Sequence, residues 1–154
     1  MKNRTVRICV VFCLLFLFSF LETVAAGKNR RESLVETAKS FIGTRYVSGG
    51  KSASGFDCSG FVMYVYGRYN IKLPSTSEGQ YLAGKPVLLK DAAAGDIVCF
   101  KINGKKVSHV GIYLGNSKFI HSPVPQKNVR IESISTEYWE KRFFAVVRIK
   151  ELDD

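Results

Sequence analysis

Cys58 stands in the run Gly55-Phe56-Asp57-Cys58-Ser59-Gly60-Phe61-Val62, between two polar residues and where loop gives way to an apolar stretch with helical spacing. Cysteines that only pack behave as small hydrophobes among other hydrophobes, and Cys58 has no such neighbours. The position suits a nucleophile. A thiol is weakly nucleophilic near neutral pH because its pKa is about 8.5, and a helix N-terminus or an adjacent imidazolium lowers it. A helix beginning at Cys58 turns unpaired backbone N–H groups toward the sulfur and favours the thiolate. Asp57 occupies the N-cap position. Its charge acts in the opposite sense, so the sulfur needs a cationic partner.

The chain has two histidines, His109 and His121. Either one alone reads as a structural residue. Both in one strand meander downstream of a helix-start cysteine read instead as a Cys–His pair with a third polar group, His121, fixing the His109 imidazole by accepting its hydrogen bond. The two lie 12 positions apart and share a sheet face only if the intervening turn keeps parity. A two-residue Gly115-Asn116 turn pairs Val110 with His121 and sends His109 to the other face. A three-residue loop, Gly115 to Ser117, pairs Gly111 with His121 and leaves His109 one diagonal away. The expectation is therefore the three-residue loop or a bulge. An open zinc site made by Cys58, His109 and His121 is the alternative use of the same residues, but the short paired spacings of most zinc sites are missing.

The elements that must position these groups are legible in outline. Leu34, Val35, Ala38, Phe41 and Ile42 recur at helical spacing before Gly43, with Ser33 and Glu36 in the form of a capping box. Residues 44–56 read as loop. A second helix begins near Cys58, with Phe61, Val62, Val65, Tyr66 and Tyr69 on its buried face and Asn70 suited to a left-handed cap. Leu73-Pro74 leads into a short polar segment, Ser75 to Gln80. Beyond Pro86 the pattern alternates: strands at Ile97–Ile102 and Val107–Leu114 about an Asn103-Gly104 hairpin signal, then Lys118–His121, Val129–Ile134 and Phe143–Ile149, with a helical turn at Tyr138-Trp139. Helices followed by a strand meander give an α+β domain with N-terminal helices packed on an antiparallel sheet.

Lys2, Arg4 and Arg7, an uncharged run from Ile8 to Leu21 and the small residues Val24-Ala25-Ala26 read as a signal peptide over 1–26, leaving one domain over 27–154. A retained anchor is the competing reading, although the run is short of the roughly 20 residues a span needs. The remaining 128 residues suit one core. The whole chain carries +10, and the part beyond the leader carries 20 basic and 12 acidic residues. That balance favours an anionic partner outside the cell over nucleic acid, for which no aromatic-interleaved basic motif exists. Steering of this kind makes activity sensitive to salt. Cys9 and Cys13 leave with the leader. Cys99, in an apolar strand context, reads as a buried inert thiol rather than a disulfide partner of Cys58.

Tyr46-Val-Ser-Gly-Gly50, Gly55 to Val62, Leu73-Pro74 with Thr76-Ser77, Gly95-Asp-Ile-Val98, Ser108 to Gly115 and Phe119-Ile-His-Ser122 follow in an order that resembles the NlpC-type family of bacterial cell-wall cysteine peptidases, compact papain-like domains. The match runs from about Leu34 to Ile149. The resemblance implies an endopeptidase acting on peptidoglycan stem peptides; with the leader removed, the expectation is an exported, periplasmic or wall-associated monomer with no cofactor and no stable membrane insertion. Either a γ-D-glutamyl–diaminopimelate or a D-alanyl–diaminopimelate bond fits as the one cut. By position, Cys58 is the implied nucleophile, His109 the base and His121 the orienting residue. Tyr46 is implied beside the oxyanion, with Asp57, Ser59 and Ser77 along the substrate groove. Ser75 stands where the family often has Arg, and Ser48 where an aromatic is common. An amidase or acyltransferase on the same thiol chemistry, and a non-catalytic wall-binding module, are the rival readings.

Overall fold

The computed structural model describes residues 29–153; the expected leader lies outside them. The chain opens with α1 (Arg30–Lys39), followed by a small hairpin, β1 (Lys51–Ser52) and β2 (Gly55–Phe56), and then α2 (Cys58–Gly67) and α3 (Ser77–Ala83). The remainder comprises β3 (Lys85–Val87), β4 (Ile97–Phe100), β5 (His109–Gly115), β6 (Lys118–His121), β7 (Arg130–Ser133), α4 (Glu137–Glu140) and β8 (Phe143–Arg148). The large sheet has six strands in the order β3-β8-β4-β5-β6-β7, with every pairing antiparallel. This is the expected α+β arrangement.

Both faces of the sheet are covered. On one, Val110, Ile112, Ile120 and Val147 pack with Leu34 and Ala38 of α1 and Phe61, Val62 and Val65 of α2. On the other, Val98, Phe100, Tyr113, Phe119 and Val146 pack with Trp139 of α4. Asp96, fully buried, latches the first helix to the sheet: its carboxylate accepts from Arg31 Nη1 at 2.9 Å, Arg148 Nη2 at 2.8 Å and the Ala93 N–H at 2.8 Å. With a fourth from Arg148 Nε at 3.1 Å, these hydrogen bonds satisfy a charge that would otherwise be costly to bury.

Several expectations shift. The first helix starts at Arg30, because the Asn29 side chain accepts from Arg31 N–H and caps it there; Ser33 and Glu36 are interior to the helix. The polar segment after Pro74 is itself a helix, capped by the Thr76 hydroxyl accepting from Gly79 N–H at 3.1 Å. Asn103-Gly104 makes no two-residue turn: Phe100 pairs with His109, so the connection runs over 101–108. A tight turn would pair Phe100 with Val107 and place both on one face. Here Phe100 belongs to the Trp139 cluster and Val107 to the helical one, and burial of each overrides the local turn preference.

Two close approaches fix the second helix and the β5–β6 pair. A Cβ on Gly60 would lie 1.9 Å from the Gly50 carbonyl oxygen, and one on Gly111 would lie 2.8 Å from Phe119 Cδ2 and 3.1 Å from His121 Cβ. The Gly50 carbonyl also accepts from Asp57 N–H at 3.0 Å, so the loop before α2 rests directly on its first turn. Gly60→Ala is expected to cost about 1–3 kcal/mol in denaturant unfolding and to displace the first turn of α2. A variant as stable as the parent would show that this contact does not hold the turn.

Candidate active site

Cys58 is the first residue of α2. Asp57 is its N-cap, with Oδ1 accepting from Gly60 N–H at 2.6 Å and from the Ser59 hydroxyl at 3.1 Å. The sulfur lies 3.5 Å from the Ser77 hydroxyl, at the start of α3, and touches the backbone of Ser59 and of Val110 in β5. Gln80 locks the two helices together by donating from Nε2 to Ser59 O at 2.8 Å and Pro74 O at 2.9 Å. Because Val110 follows His109, the sulfur sits against the strand at the position adjoining that imidazole.

His109 and His121 share a face. The register pairs Ile112 with Ile120 and Tyr113 with Phe119, then shifts through a bulge before Gly115 pairs with Lys118. Asn116 and Ser117 make the turn with φ of 50° and 57°. The bulge supplies the parity that a plain two-residue turn would break, and His109 Nε2 comes within 2.7 Å of His121 Nδ1. His121 Nε2 in turn lies 2.8 Å from Glu132 Oε2 in β7. Trp139 Nε1 donates to the same oxygen at 2.9 Å, and Arg130 holds the other. The Trp139 ring stacks on His109 at 5.2 Å and 26°.

This chain of contacts sets the proton positions. Burial opposes ionisation of Glu132, but the hydrogen bonds from His121 and Trp139 and the charge of Arg130 outweigh it and hold its carboxyl below the usual carboxylate range. A carboxylate only accepts. His121 must therefore donate from Nε2 and accept at Nδ1. His109 consequently donates from Nε2, and its Nδ1 keeps the free lone pair. Burial, with the neighbouring His121, lowers His109 to about 3, while Glu132 opposes the shift. Burial also lowers His121 against the pull of Glu132, so the His121–Glu132 contact is a hydrogen bond from neutral imidazole to carboxylate.

The thiol differs from the expected thiolate. Burial raises the Cys58 pKa, and Asp57 adds to the rise; the Ser77 hydroxyl and the Val110 and Ser59 backbone act the other way without reversing it. At rest the site holds a neutral thiol and a neutral imidazole.

The other expected residues divide. Tyr46 bridges to Phe56 just before the Asp57-Cys58 pair and is half-buried. Ser77 faces the sulfur. Ser59 is buried, and its hydroxyl donates to Ser75 O at 2.9 Å and reaches Asp57. Cys99 is fully buried, and burial pushes its thiol up to about 12. Sequence reasoning missed Glu132 and Ser122. The Ser122 hydroxyl donates to Phe56 O at 2.7 Å and ties the end of β6 to the approach to Cys58. The available signal for Glu132 was its alternation with Arg130 in a predicted strand beside His121.

The NlpC/P60 family profile matches residues 43–148, more than half of the sequence. The chain belongs to the NlpC/P60 family. A probable endopeptidase of Haemophilus influenzae is 40% identical over 118 residues, covering 75% of this chain and 73% of that protein. The gamma-D-glutamyl-L-lysine dipeptidyl-peptidase of Bacillus subtilis is 36% identical over 127 residues, covering 81% of this chain but 43% of that protein, so this chain spans less than half of that relative's length. The crystal structure of the NlpC/p60 domain of the peptidoglycan hydrolase SagA superposes with a TM-score of 0.69 at 34% identity, covering 77% of this NlpC/P60 chain and 97% of that one. Such neighbours bear out the papain-like domain.

Within this NlpC/P60 domain, Glu132→Gln replaces a pure acceptor with a group that also donates and so frees the His121 tautomer. The variant is expected to lose about tenfold or more in kcat, as when an orienting acid is neutralised, with KM little changed and partial recovery in Glu132→Asp. Unchanged kcat would remove Glu132 from the orienting chain.

Proposed function

We propose that the domain is a cysteine endopeptidase that hydrolyses peptide bonds in peptidoglycan stem peptides. The observation supporting this reading is the hydrogen-bonded series Glu132–His121–His109, together with a helix-start sulfur that meets the backbone of Val110, the residue after His109 in β5. Cys58 is the nucleophile, His109 the general base and His121 the group that orients it.

The neutral resting pair sets the sequence of steps. As substrate enters, His109 Nδ1 accepts the thiol proton and the sulfur attacks the amide carbonyl. The developing oxyanion is met by backbone N–H groups near Cys58, with the Tyr46 hydroxyl beside it. The imidazolium that forms donates from Nε2 to His121, and the Glu132 carboxylate behind His121 stabilises its charge. His109 then protonates the leaving amine. In the second half it takes a proton from water, which releases the acyl group from sulfur.

Asp57 Oδ2 makes no hydrogen bond among the described residues, leaving it available for a substrate amine on the acyl side, with Ser77 along the same wall. The bond cut is a γ-D-glutamyl link, by likeness to the Bacillus subtilis relative, and the domain acts in the cell envelope after export, as a monomer and without a cofactor. Cleavage of a D-alanyl–diaminopimelate crosslink is the second reading, and the mass of the fragments separates the two.

Purified peptidoglycan incubated with the domain is expected to release soluble peptide fragments identifiable by mass spectrometry, and Cys58→Ala should release none while still binding the polymer. Fragments that persist with Cys58→Ala would remove the thiol from the mechanism. Binding without fragments from the parent protein would favour the wall-binding module.

A further inference from the structure

A cavity of about 310 Å³ opens against His109, near the lower end of the roughly 300–1,000 Å³ usual for small-ligand sites. Its walls include Val124, Tyr138 and Trp139, and its charged lining is Lys127, Arg130 and Glu132. Neither Cys58 nor any of Tyr46, Asp57 and Ser77 lines it. The imidazoles lie on the Trp139 face of the sheet, whereas α2 packs on the opposite face. The cavity is therefore reached across His109 from the sulfur.

That placement decides which half of a substrate it holds. In thiol hydrolysis the acyl part stays on sulfur, and the leaving amine takes its proton from the imidazole. A space that touches His109 but not Cys58 is on the leaving-group side. Its charge is unbalanced. Glu132 is occupied by His121 and Trp139 on one oxygen and by Arg130 on the other. Arg130 keeps a buried Nε with no hydrogen-bond partner, and Lys127, exposed on the loop after Pro123, has no side-chain partner among the described residues. One carboxylate faces two cations. A second carboxylate would complete the set by meeting Lys127 directly.

We propose that this cavity is a leaving-group subsite that binds a carboxylate of the departing amino acid or short peptide, with Lys127 as its principal contact. The proposal rests on the peptidase reading above and adds a preference to it. Such a domain favours stem peptides whose leaving portion ends in a free acid close to the scissile bond over those whose acid is amidated.

Three synthetic substrates with one acyl half test this. Their leaving halves are a residue with a free α-carboxylate, the same residue as its carboxamide, and a dipeptide ending in a carboxylate. The parent is expected to cleave the better acid substrate with kcat/KM on the order of tenfold above the amide, the size of one charge-assisted contact. The faster of the two acids shows whether the carboxylate belongs to the leaving residue or to the one beyond it. Lys127→Ala should bring the acid-to-amide ratio toward one, and Lys127→Glu should invert it. Equal rates on acid and amide in the parent, or a ratio untouched by Lys127→Glu, would overturn the subsite while leaving the peptidase reading intact. Hydrolysis of none of the three would overturn the peptidase reading and the subsite with it.

Discussion

The hydrogen bond between His109 Nε2 and His121 Nδ1, at 2.7 Å, is the contact on which the rest of the site depends. A neutral imidazole can serve as a base only through the nitrogen that lacks a proton, and burial keeps His109 neutral. Which nitrogen that is follows from three acceptors in series. The Glu132 carboxylate takes the proton side of His121, His121 takes the proton side of His109, and the lone pair is left at His109 Nδ1. Trp139 and Arg130 hold Glu132 in place, and Trp139 also covers the imidazole. Shielding from water strengthens each link in this series and also opposes formation of charge at rest.

The fold supplies that contact through register rather than through a loop. The bulge before Gly115 puts both imidazoles on one face, and the bare backbone of Gly111 lets β6 and His121 lie close against β5. On the other face α2 brings its first turn to the same strand, where Val110 touches the sulfur. The Ser122–Phe56 hydrogen bond, the Gln80 bonds and the Gly50–Gly60 contact join the helix start to the sheet. Both halves of the site thus stand on rigid elements, which favours preorganised chemistry.

Much of this arrangement was legible in the residues. Asp57 followed by an apolar helical pattern marked the start of α2, and parity alone required a loop or bulge between the histidines. The failures have physical causes. Asn103-Gly104 is a strong local turn signal, but Phe100 and Val107 are buried in different clusters, and their burial widened the connection. Glu132 looked like an exposed strand acid because nothing in one strand names the histidine beside it. The helix-start thiolate was overestimated because packing of α2 buries the sulfur, and burial, with the Asp57 charge beside it, raises the thiol's pKa.

Nitrogen-15 NMR of the two imidazoles in the intact domain tests the central claim most directly, since chemical shifts distinguish protonated from unprotonated ring nitrogens. Near pH 7 the account predicts two neutral rings, both protonated at Nε2, with His109 Nδ1 bare and no titration of His109 as pH falls through 6.5 toward its lowered value of about 3. A proton on His109 Nδ1, or an imidazolium at neutral pH, would contradict it.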